Sequence, residues 1–329
     1  MLIAPRFWSD TRARAVPRLL APIERVVTAV AVRRACRPRW HASVPVLCCG
    51  NATVGGAGKT TLAIDMVERL RDRGRNVHCL TRGYGGQVRG VVKVDPALHT
   101  AAMVGDEALL LAAHAPTWVS ADRSAGARAA VAAGADCLVL DDGFQNTTLF
   151  QDLPVLVVDG AAGFGNGHVL PAGPLREPLR QAFDRARAVV IIGPDRHRVA
   201  RDVPAGLPVL HARLQPEGRL LDLVGRQVIA FAGIGRPAKF FDALRDAGIA
   251  PVRTLPFPDH HAYTRRDLSL LEGLDQQPGT RLVTTPKDAV RLPPELRARI
   301  TVIGTKLQWE TPHAAENLLD RLVGSRTDL

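Results

Sequence analysis

A glycine-rich stretch between a predicted strand and a predicted helix carries the residue types that hold a triphosphate. It reads CCGNATVGGAGKTT over Cys48–Thr61. In a phosphate-binding loop, backbone N–H groups and the N-terminus of the next helix point at one anion. The lysine then reaches the β- and γ-phosphates, and the hydroxyl after it ligates Mg²⁺. The residues predicted to bind the triphosphate are Thr53, Val54, Gly55, Gly56, Ala57, Gly58, Lys59, Thr60 and Thr61.

The loop departs at one position from the pattern G-x-x-x-x-G-K-[ST], because Thr53 stands where the first glycine is expected. Glycine at that position only eases the turn, and the remaining glycines of the loop still allow the backbone to curl around a phosphate. The alternative is a glycine-rich turn that binds no ligand. We disfavour it because the strand, Lys59 and Thr60 all stand where the mechanism requires them.

Two groups of carboxylates could complete a phosphoryl-transfer site. Asp141 and Asp142 end the apolar run Cys137–Leu140, which has the form of a Walker B strand, so one of them could hold Mg²⁺ beside Thr60. Asp106 opens a predicted helix and is the best candidate for a base on an acceptor hydroxyl. Simpler interpretations exist for both groups: an acidic turn for the pair, and an acid favoured by the helix dipole for Asp106.

Further candidates lie in predicted loops. Adjacent histidines on an extended chain point to opposite sides, so we expect one histidine of Asp259-His260-His261 to reach the active site when the domains close. A surface loop is the equal alternative for this segment. Arginine suits bidentate phosphate recognition, although in a chain this rich in arginine a solvated surface charge is the favoured alternative for any single one; those in loops or at helix starts are Arg82, Arg123 and Arg176.

The alternation of apolar runs with helical patterns predicts the scaffold. Such an alternation favours an α/β fold with a doubly wound, mostly parallel sheet, in which ligands lie beyond the carboxyl ends of the strands. The phosphate loop, the Arg82 loop and Asp141-Asp142 all follow strand ends, so we expect them to converge on one crevice. The predicted strands are 45–49, 76–81, 117–120, 137–140, 153–159, 189–192, 209–212, 228–232, 251–257, 281–285 and 301–303.

We divide the chain into three parts: a basic amphipathic helix over 1–40, a P-loop core over 41–214 and a smaller α/β domain over 215–329. The pattern weakens at Leu214–Leu223, which we interpret as a linker with a polar hairpin. Val88–Asp95 is predicted to form a short hairpin or the edge of a lid.

The basic charge is concentrated at the N-terminus, where residues 1–40 hold nine arginines against Asp10 and Glu24. Apolar residues spaced by three and four predict a helix that either lies in a membrane interface or docks on the protein's own core. No run approaches the ~20 apolar residues that span a bilayer, and we expect no signal peptide. The residues of the apolar stripe are Leu19, Leu20, Ile23, Val26, Val27 and Val30.

Composition limits the possible partners. The chain has 329 residues and a formal charge of +11, which implies an anionic partner such as nucleic acid, an acidic membrane surface or a phosphorylated substrate. Aromatic residues make up only 5%, too few to suggest stacking platforms, so we expect no nucleic acid partner. Five cysteines without C-x-x-C spacing indicate a reducing cytoplasm and neither a disulfide framework nor a zinc site.

The order of the motifs along most of the chain resembles the tetraacyldisaccharide 4'-kinase family. A phosphate loop is shared by a large superfamily, whereas DDGFQ, PAGPLREP and DHH in this order are far more specific. The matching segments are Trp8, GNATVGGAGKTT (50–61), TRGYGG (81–86), GDE (105–107), DDGFQN (141–146), GNGHVLPAGPLREP (165–178), AGIGRP (232–237), FPDHHAY (257–263) and TTPKDAVRL (284–292).

The resemblance implies an ATP- and Mg²⁺-dependent kinase that phosphorylates the 4'-hydroxyl of an acylated glucosamine disaccharide 1-phosphate and forms lipid IVA for lipid A. It implies that Lys59 acts on the triphosphate and that Asp106 is a base assisted by His260. It places Mg²⁺ at Thr60, Asp141 and Asp142. Further candidates for the substrate site are Arg82, Tyr84, Glu107, Arg123, Gln145, Asn166 and His261.

The same resemblance implies a peripheral protein at the cytoplasmic face of the bacterial inner membrane. The basic N-terminal helix would then contact an anionic membrane surface. We expect a monomer. Two positions depart from the family pattern: Asn146 replaces a histidine and cannot take a charge, so we assign it no acid–base role, and Pro286 removes a charge and an N–H from the TTPKD segment.

Two other classes of protein share a glycine-rich phosphate loop. Partner-dependent ATPases of the MinD type carry a lysine ahead of the two glycines, and this chain has Val54 there. A nucleotide-switched GTPase would be expected to carry the guanine-reading motif N-K-x-D, which is absent from the sequence. Both comparisons favour the kinase.

Overall fold

Two sheets, one of nine strands and one of four, organise the chain. The computed structural model describes residues 5–10 and 15–324, so parts of the predicted 1–40 and 215–329 regions, namely 1–4, 11–14 and 325–329, lie outside the described residues. The strands β1 to β13, in chain order, are Val46–Gly50, Val77–Thr81, Val91–Lys93, Thr117–Ser120, Cys137–Asp141, Leu153–Asp159, Ala188–Ile192, Val209–Glu217, Gln227–Ala232, Arg253–Pro256, Thr280–Thr284, Thr301–Val302 and Gly304–Trp309.

Helices connect these strands in the manner that the sequence pattern predicts. Two 3₁₀ turns occur at Arg6–Trp8 and Leu220–Leu223. The helices α1 to α12, in chain order, are Ala15–Ala35, Lys59–Asp72, Ala101–Val104, Asp106–Ala112, Arg123–Ala132, Leu179–Arg185, Val199–Asp202, Pro237–Asp246, Arg265–Asp275, Pro286–Ala289, Pro294–Arg297 and Ala314–Gly324.

The nine-stranded sheet has the order β13-β8-β7-β6-β1-β5-β2-β4-β3. All of its pairings are parallel except those of the two edge strands, β3 and β13, which run antiparallel to their neighbours. Strands β1, β2, β5, β6 and β7 are buried along their whole length, because helices cover both faces of the sheet. Burial on both faces explains their continuous apolar sequences. The predicted α/β, doubly wound, mostly parallel fold is therefore confirmed.

Each face of this sheet has its own apolar core. Helices α2 and α12 cover one face, where Leu62 and Met66 pack with Leu47 of β1 and Leu318 of α12. Helices α5 and α6 cover the other face, where Ala127 and Phe183 pack with alternate residues of the same strands. Because β1 lies between β5 and β6, the loops that follow β1 and β5 meet at one edge of the sheet.

The second sheet has the order β10-β9-β11-β12 and is parallel throughout. Helix α8 packs on one face through Phe240 and Phe241, and helix α9 packs on the other through Leu271. The carboxyl ends of β9 and β11 carry the AGIGRP and TTPKDAVRL segments. These two segments therefore emerge on the same side of the second sheet.

The chain does not stay in the second domain to its end. Strand β13 pairs antiparallel with β8 from Gly304↔Glu217 to Trp309↔Ala212, and helix α12 then packs on α2. The sequence pattern predicted neither element. Strand β13 is a partly buried edge strand with three polar or charged side chains among six residues, so its local signal is weak. Strand β13 and helix α12 therefore pack with the large sheet, whereas the sequence analysis placed them in the smaller domain over 215–329.

Two further predictions about local structure were wrong. Residues 214–217 are the end of the long strand β8 and pair with β13, so the predicted linker begins only after Glu217. Val88–Asp95, predicted as a short hairpin or the edge of a lid, forms no hairpin: it contains a single edge strand, β3, which pairs antiparallel with β4. In both cases a partner distant in sequence supplies the pairing that the local pattern could not reveal.

Helix α1 docks on the large domain by one side only. The carboxylate of Glu24 accepts a hydrogen bond from the N–H of Val169 at 2.7 Å, and Val27 packs against the core. The opposite side is an apolar stripe left exposed, with Leu19 at 80% exposure and Val26 at 64%. The other exposed members of the stripe are Val16, Ile23 and Val30.

Trp8 lies before this helix, in the 3₁₀ turn, and its indole N–H donates to the carbonyl of Pro171 at 3.1 Å. Across the part of the chain that the structure describes, no helix combines the length and the apolar character that crossing a bilayer requires.

Candidate active site

The phosphate loop joins β1 to α2, and helix α2 begins at Lys59. Gly58 has a φ of 88°, and a Cβ at this position would lie 2.8 Å from Cδ1 of Ile192, so only glycine fits. The Nζ of Lys59 donates to Oδ1 of Asn51 at 3.2 Å, and the Asn51 amide donates to the carbonyl of Gly55 at 3.3 Å. Asn51 therefore holds the lysine and the loop backbone together.

Thr53, the position that departs from the glycine pattern, forms an isolated antiparallel bridge with Leu175. The next residue, Val54, donates its N–H to the carbonyl of Pro174 at 2.8 Å. The start of the loop is therefore strand-like and tied to the PAGPLREP segment. Extended backbone suits threonine well, which explains why glycine is not needed at this position.

Asp141 and Asp142, at the end of β5, lie beside the start of α2. The hydroxyl of Thr60 donates to Oδ2 of Asp141 at 2.9 Å, whereas Oδ1 of Asp141 is buried without a hydrogen-bond partner among the described residues. Burial raises the pKa of Asp141, and the negative charge of Glu107 raises it further. Asp141 thus has a buried oxygen without a partner among the described residues, which a cation would satisfy.

Asp142 faces two cations. Its Oδ1 lies 3.6 Å from Nζ of Lys59 and 3.1 Å from a guanidinium nitrogen of Arg176. Burial alone would raise the pKa of Asp142, but Lys59 and Arg176 outweigh it and leave the pKa lowered. With a φ of 53°, the residue adopts a left-handed conformation that aspartate tolerates. Asp142 is therefore a stable carboxylate at the mouth of the loop.

The segment that opens α4 meets the DHH segment of the second domain. Nδ1 of His260 lies 3.0 Å from Oδ2 of Asp106, and Oδ1 of Asp106 accepts the N–H of Glu107 at 2.9 Å. The Asp106 side chain is 3% exposed and that of His260 is 24% exposed. The hydrogen bond to Asp106 raises the pKa of His260. Of the two histidines, His260 is the one that contacts the acid of the first domain.

His261 points the other way, as expected for adjacent residues. Its Nε2 lies 3.0 Å from Oδ2 of Asp267, the acid that also completes the capping box of α9 with Thr264. Its ring stacks on that of Phe257, with centroids 4.9 Å apart. His261 therefore orders the DHH loop within the second domain.

Two cations that sequence reasoning did not select complete this part of the site. Lys287 donates to Oε1 of Glu107 at 2.7 Å, and Nε of Arg291 donates to Oδ2 of Asp106 at 3.1 Å. Burial would raise the pKa of Asp106, but His260, Lys287 and Arg291 together lower it well below its usual range. The available signal was the position of TTPKDAVRL directly after β11, since ligand sites follow strand ends in parallel sheets.

The other predicted substrate residues differ in how far they are exposed to solvent. Arg82 is exposed, and the exposed ring of Tyr84 lies 5.4 Å from the ring of His260 between centroids. Arg123 is buried at the start of α5, donates to the carbonyl of Ser120 and leaves Nε without a partner among the described residues. Burial lowers the pKa of Arg123 to about 10, so it remains a cation behind the aspartate pair.

The side chains of Gln145 and Asn166 link segments that are distant from each other in sequence. The Gln145 amide donates to the carbonyl of Asn51 at 2.8 Å and to Glu177 at 2.9 Å. The Asn166 amide donates to the carbonyls of Phe7 at 3.1 Å and Ala172 at 2.9 Å. In this arrangement Gln145 supports the phosphate loop, and Asn166 joins the N-terminal turn to the PAGP segment.

The comparisons with known proteins agree with this geometry. A family profile for Tetraacyldisaccharide-1-P 4'-kinase matches residues 16–323. The chain belongs to this family. Relatives named tetraacyldisaccharide 4'-kinase include one from Gluconobacter oxydans, 57% identical over 97% of both chains. Another, from Gluconacetobacter diazotrophicus, is 59% identical over 96% of this chain and 97% of the relative.

A solved structure of the same family has the same fold. The LpxK of Aquifex aeolicus, crystallised in complex with ATP, matches with a TM-score of 0.77 and 26% identity. The match covers 93% of this chain and 99% of that one. The resemblance that the motifs predicted is therefore confirmed, as is the P-loop kinase fold.

Proposed function

We propose that this protein transfers the γ-phosphoryl group of ATP to the 4'-hydroxyl of tetraacyldisaccharide 1-phosphate, forming lipid IVA in lipid A biosynthesis. The bond between the γ-phosphorus and the β,γ-bridging oxygen breaks, a bond to the 4'-oxygen forms, and ADP leaves. The observation that carries the proposal is Asp141, which hydrogen-bonds Thr60 of the phosphate loop and lies near enough to Glu107, next to Asp106, to be affected by its charge, in a chain of this kinase family. Phosphoryl transfer depends mostly on such positioning and on neutralising charge.

We assign the metal position to Thr60, Asp141 and Asp142. Kinase sites commonly hold Mg²⁺ by one or two carboxylates together with the phosphates of the nucleotide. Within residues 5–10 and 15–324 there is no cluster of three or more histidines, cysteines or acids that would form an all-protein metal cage. The buried, unpaired Oδ1 of Asp141 fits an ion shared with the nucleotide. Bound Mg²⁺ would neutralise charge on the phosphates.

Lys59 would contact the triphosphate from within the loop. Its Nζ lies between Asn51 and Asp142, so the ammonium is held in place before a nucleotide arrives. Preorganised charge of this kind stabilises the transferring group without reorganisation during the reaction.

Asp106 and His260 would take the proton from the 4'-hydroxyl. Asp106 is the buried acceptor, and His260 is the more exposed member of the pair. The carboxylate of Asp106 accepts the proton of the hydroxyl, and the Nδ1–H of His260 orients that carboxylate through the hydrogen bond of 3.0 Å. A neutral imidazole leaves Asp106 a stronger base than an imidazolium would, so this route requires that His260 be neutral at the start of each turnover.

The exposed side of helix α1 would lie in a membrane interface. Its stripe of Val16, Leu19, Ile23, Val26 and Val30 is open to solvent, and arginines flank it at positions 18, 25, 33 and 34. An amphipathic helix with basic flanks binds anionic bilayers through apolar burial and charge together. This surface would bring the crevice to an acylated acceptor at the cytoplasmic face of the inner membrane.

The test of the reaction uses purified full-length protein, ATP, Mg²⁺ and detergent-dispersed tetraacyldisaccharide 1-phosphate. We expect mass spectrometry to detect one added phosphate that depends on ATP. A matched acceptor with a methylated 4'-hydroxyl should remain unchanged. Absence of the product, or equal phosphorylation of the blocked acceptor, would contradict the proposal.

A further inference from the structure

A buried arginine and a half-buried lysine of the second domain reach the acidic residues that open helix α4 of the first domain. Arg291 donates to Oδ2 of Asp106 through Nε at 3.1 Å and through a second guanidinium nitrogen. Lys287 donates to Oε1 of Glu107 at 2.7 Å. The Arg291 side chain is only 7% exposed. Both contacts bridge the two sheets, so they form only while the domains are docked.

We propose that Lys287 and Arg291 are positioning residues that set the orientation and charge state of Asp106 and thereby make catalysis depend on domain docking. The inference rests on the proposed function, because it assumes that Asp106 handles the proton of the acceptor hydroxyl. Arginine suits this task, since its planar fork fixes the direction of a carboxylate.

Arg291 is itself rigidly held. Asp288 is fully buried, and its Oδ1 accepts from Arg291 at 3.2 Å, from the N–H of Gly233 at 2.8 Å and from the hydroxyl of Tyr263 at 2.8 Å. The carbonyl of Gly233 in turn accepts from Arg291 at 2.9 Å and from the N–H of His260 at 3.0 Å. One network therefore places both second-domain groups that contact the base.

Gly233 explains how tightly this network is packed. A Cβ on Gly233 would lie 3.0 Å from Oδ1 of Asp288 and 3.1 Å from Cβ of His261. A side chain at that position would push the DHH loop away from Asp288. The AGIGRP and TTPKDAVRL segments thus form one rigid unit with the DHH loop.

Electrostatic attraction between the two domains couples their docking to the state of Asp106. Asp106 and Glu107 are adjacent acids, and Asp141 lies near enough to be affected by Glu107. If the second domain moved away, Asp106 would lose Arg291 and His260, and Glu107 would lose Lys287. Docking therefore pairs both acids with cations and holds the Asp106 carboxylate in one direction. The charged groups that face the pair are Glu107, Asp141, Asp259, His260, Lys287 and Arg291.

The experiment compares Arg291→Met, Arg291→Lys and Lys287→Met with Arg297→Met, an exposed arginine on the neighbouring helix α11. We expect Arg291→Met to lower kcat by about 10- to 100-fold through misplacement of the base, with KM for ATP unchanged within about threefold. Arg291→Lys should recover part of the loss, because it keeps the charge. Arg297→Met should behave as the wild type.

A second measurement does not depend on turnover. Lys287 opposes protonation of His260, so Lys287→Met should raise the pKa of His260, measured by NMR of labelled histidine. If Arg291→Met fails to fold, the Lys287→Met result decides. An unchanged kcat in Arg291→Met, an equal loss of ATP affinity, or an unmoved His260 titration in Lys287→Met would overturn the inference. If the wild type and Arg297→Met both fail to phosphorylate the acceptor, the proposed function has failed instead.

Discussion

Replacing Asp106 with asparagine removes the proposed base and keeps the shape of the side chain. A positioned general base contributes about 10²- to 10⁴-fold to a rate. We therefore expect kcat to fall by that factor, which corresponds to about 3–5 kcal/mol of lost transition-state stabilisation. ATP binding should be unaffected, because Asp106 makes no contact with the phosphate loop among the described hydrogen bonds and ion pairs.

The same substitution should change the titration of His260 in a defined direction. The hydrogen bond to Asp106 raises the pKa of His260 above its ordinary value of 6.5, while burial and the charge of Lys287 lower it. With the carboxylate removed, only the lowering influences of burial and Lys287 and the weaker attraction of Asp259 remain. The pKa of His260 should therefore fall, and NMR of labelled histidine measures the change directly.

Folding stability should also decrease. Removing one partner of a buried ion pair costs about 3–5 kcal/mol. Arg291 keeps a second acid, Asp288 at 3.2 Å, so we expect a cost at the lower end of that range, measured by urea unfolding. Asp242→Asn, at an exposed position on α8, is the matched control. A kcat within tenfold of the wild type, together with an unchanged His260 pKa, would refute the assignment of Asp106.

Three other predictions concern separate parts of the molecule. Lys59→Met should abolish phosphorylation and weaken ATP binding while leaving thermal unfolding nearly unchanged; full activity would contradict the role of the loop. The double variant Leu19→Glu/Ile23→Glu should lose binding to anionic vesicles in sedimentation assays, because both side chains lie on the exposed stripe of α1; undiminished binding would argue against the interface. In the wild type, kcat/KM should fall as the pH drops through the raised pKa of His260, because the neutral imidazole is needed. His260→Gln should remove this acidic limb of the pH profile, and an identical profile in the variant would exclude this role of His260.

The donor half of the site could be predicted from sequence because its residues are close together in the chain. A strand, a glycine loop and a helix start within Cys48–Thr61 contain every backbone group and side chain that the loop needs. The link from Thr60 to Asp141 follows from a second local pattern, an apolar strand ending in acids. Local patterns of this kind specify their own conformation, so spacing alone reveals them.

The predicted sheet was largely correct for the same reason. Strands such as β1, β5 and β6 are buried on both faces and therefore read as continuous apolar runs. Strand β13 is an edge strand with mostly exposed or half-buried side chains, and its place is set by pairing with β8. Pairing with a distant strand leaves little local signal, so the return of the chain to the large sheet was not predictable.

The sequence by itself determined a glycine loop before a helix and an apolar strand ending in two acids, since both are short patterns complete within a few residues. Only the tertiary structure decided which groups meet Asp106. His260 lies 154 residues from it in the chain and Arg291 lies 185 residues away. Their contacts arise because a second sheet docks its strand ends against the first. Charge and hydrogen bonding across that junction depend on distances in space, and spacing along the chain does not encode them.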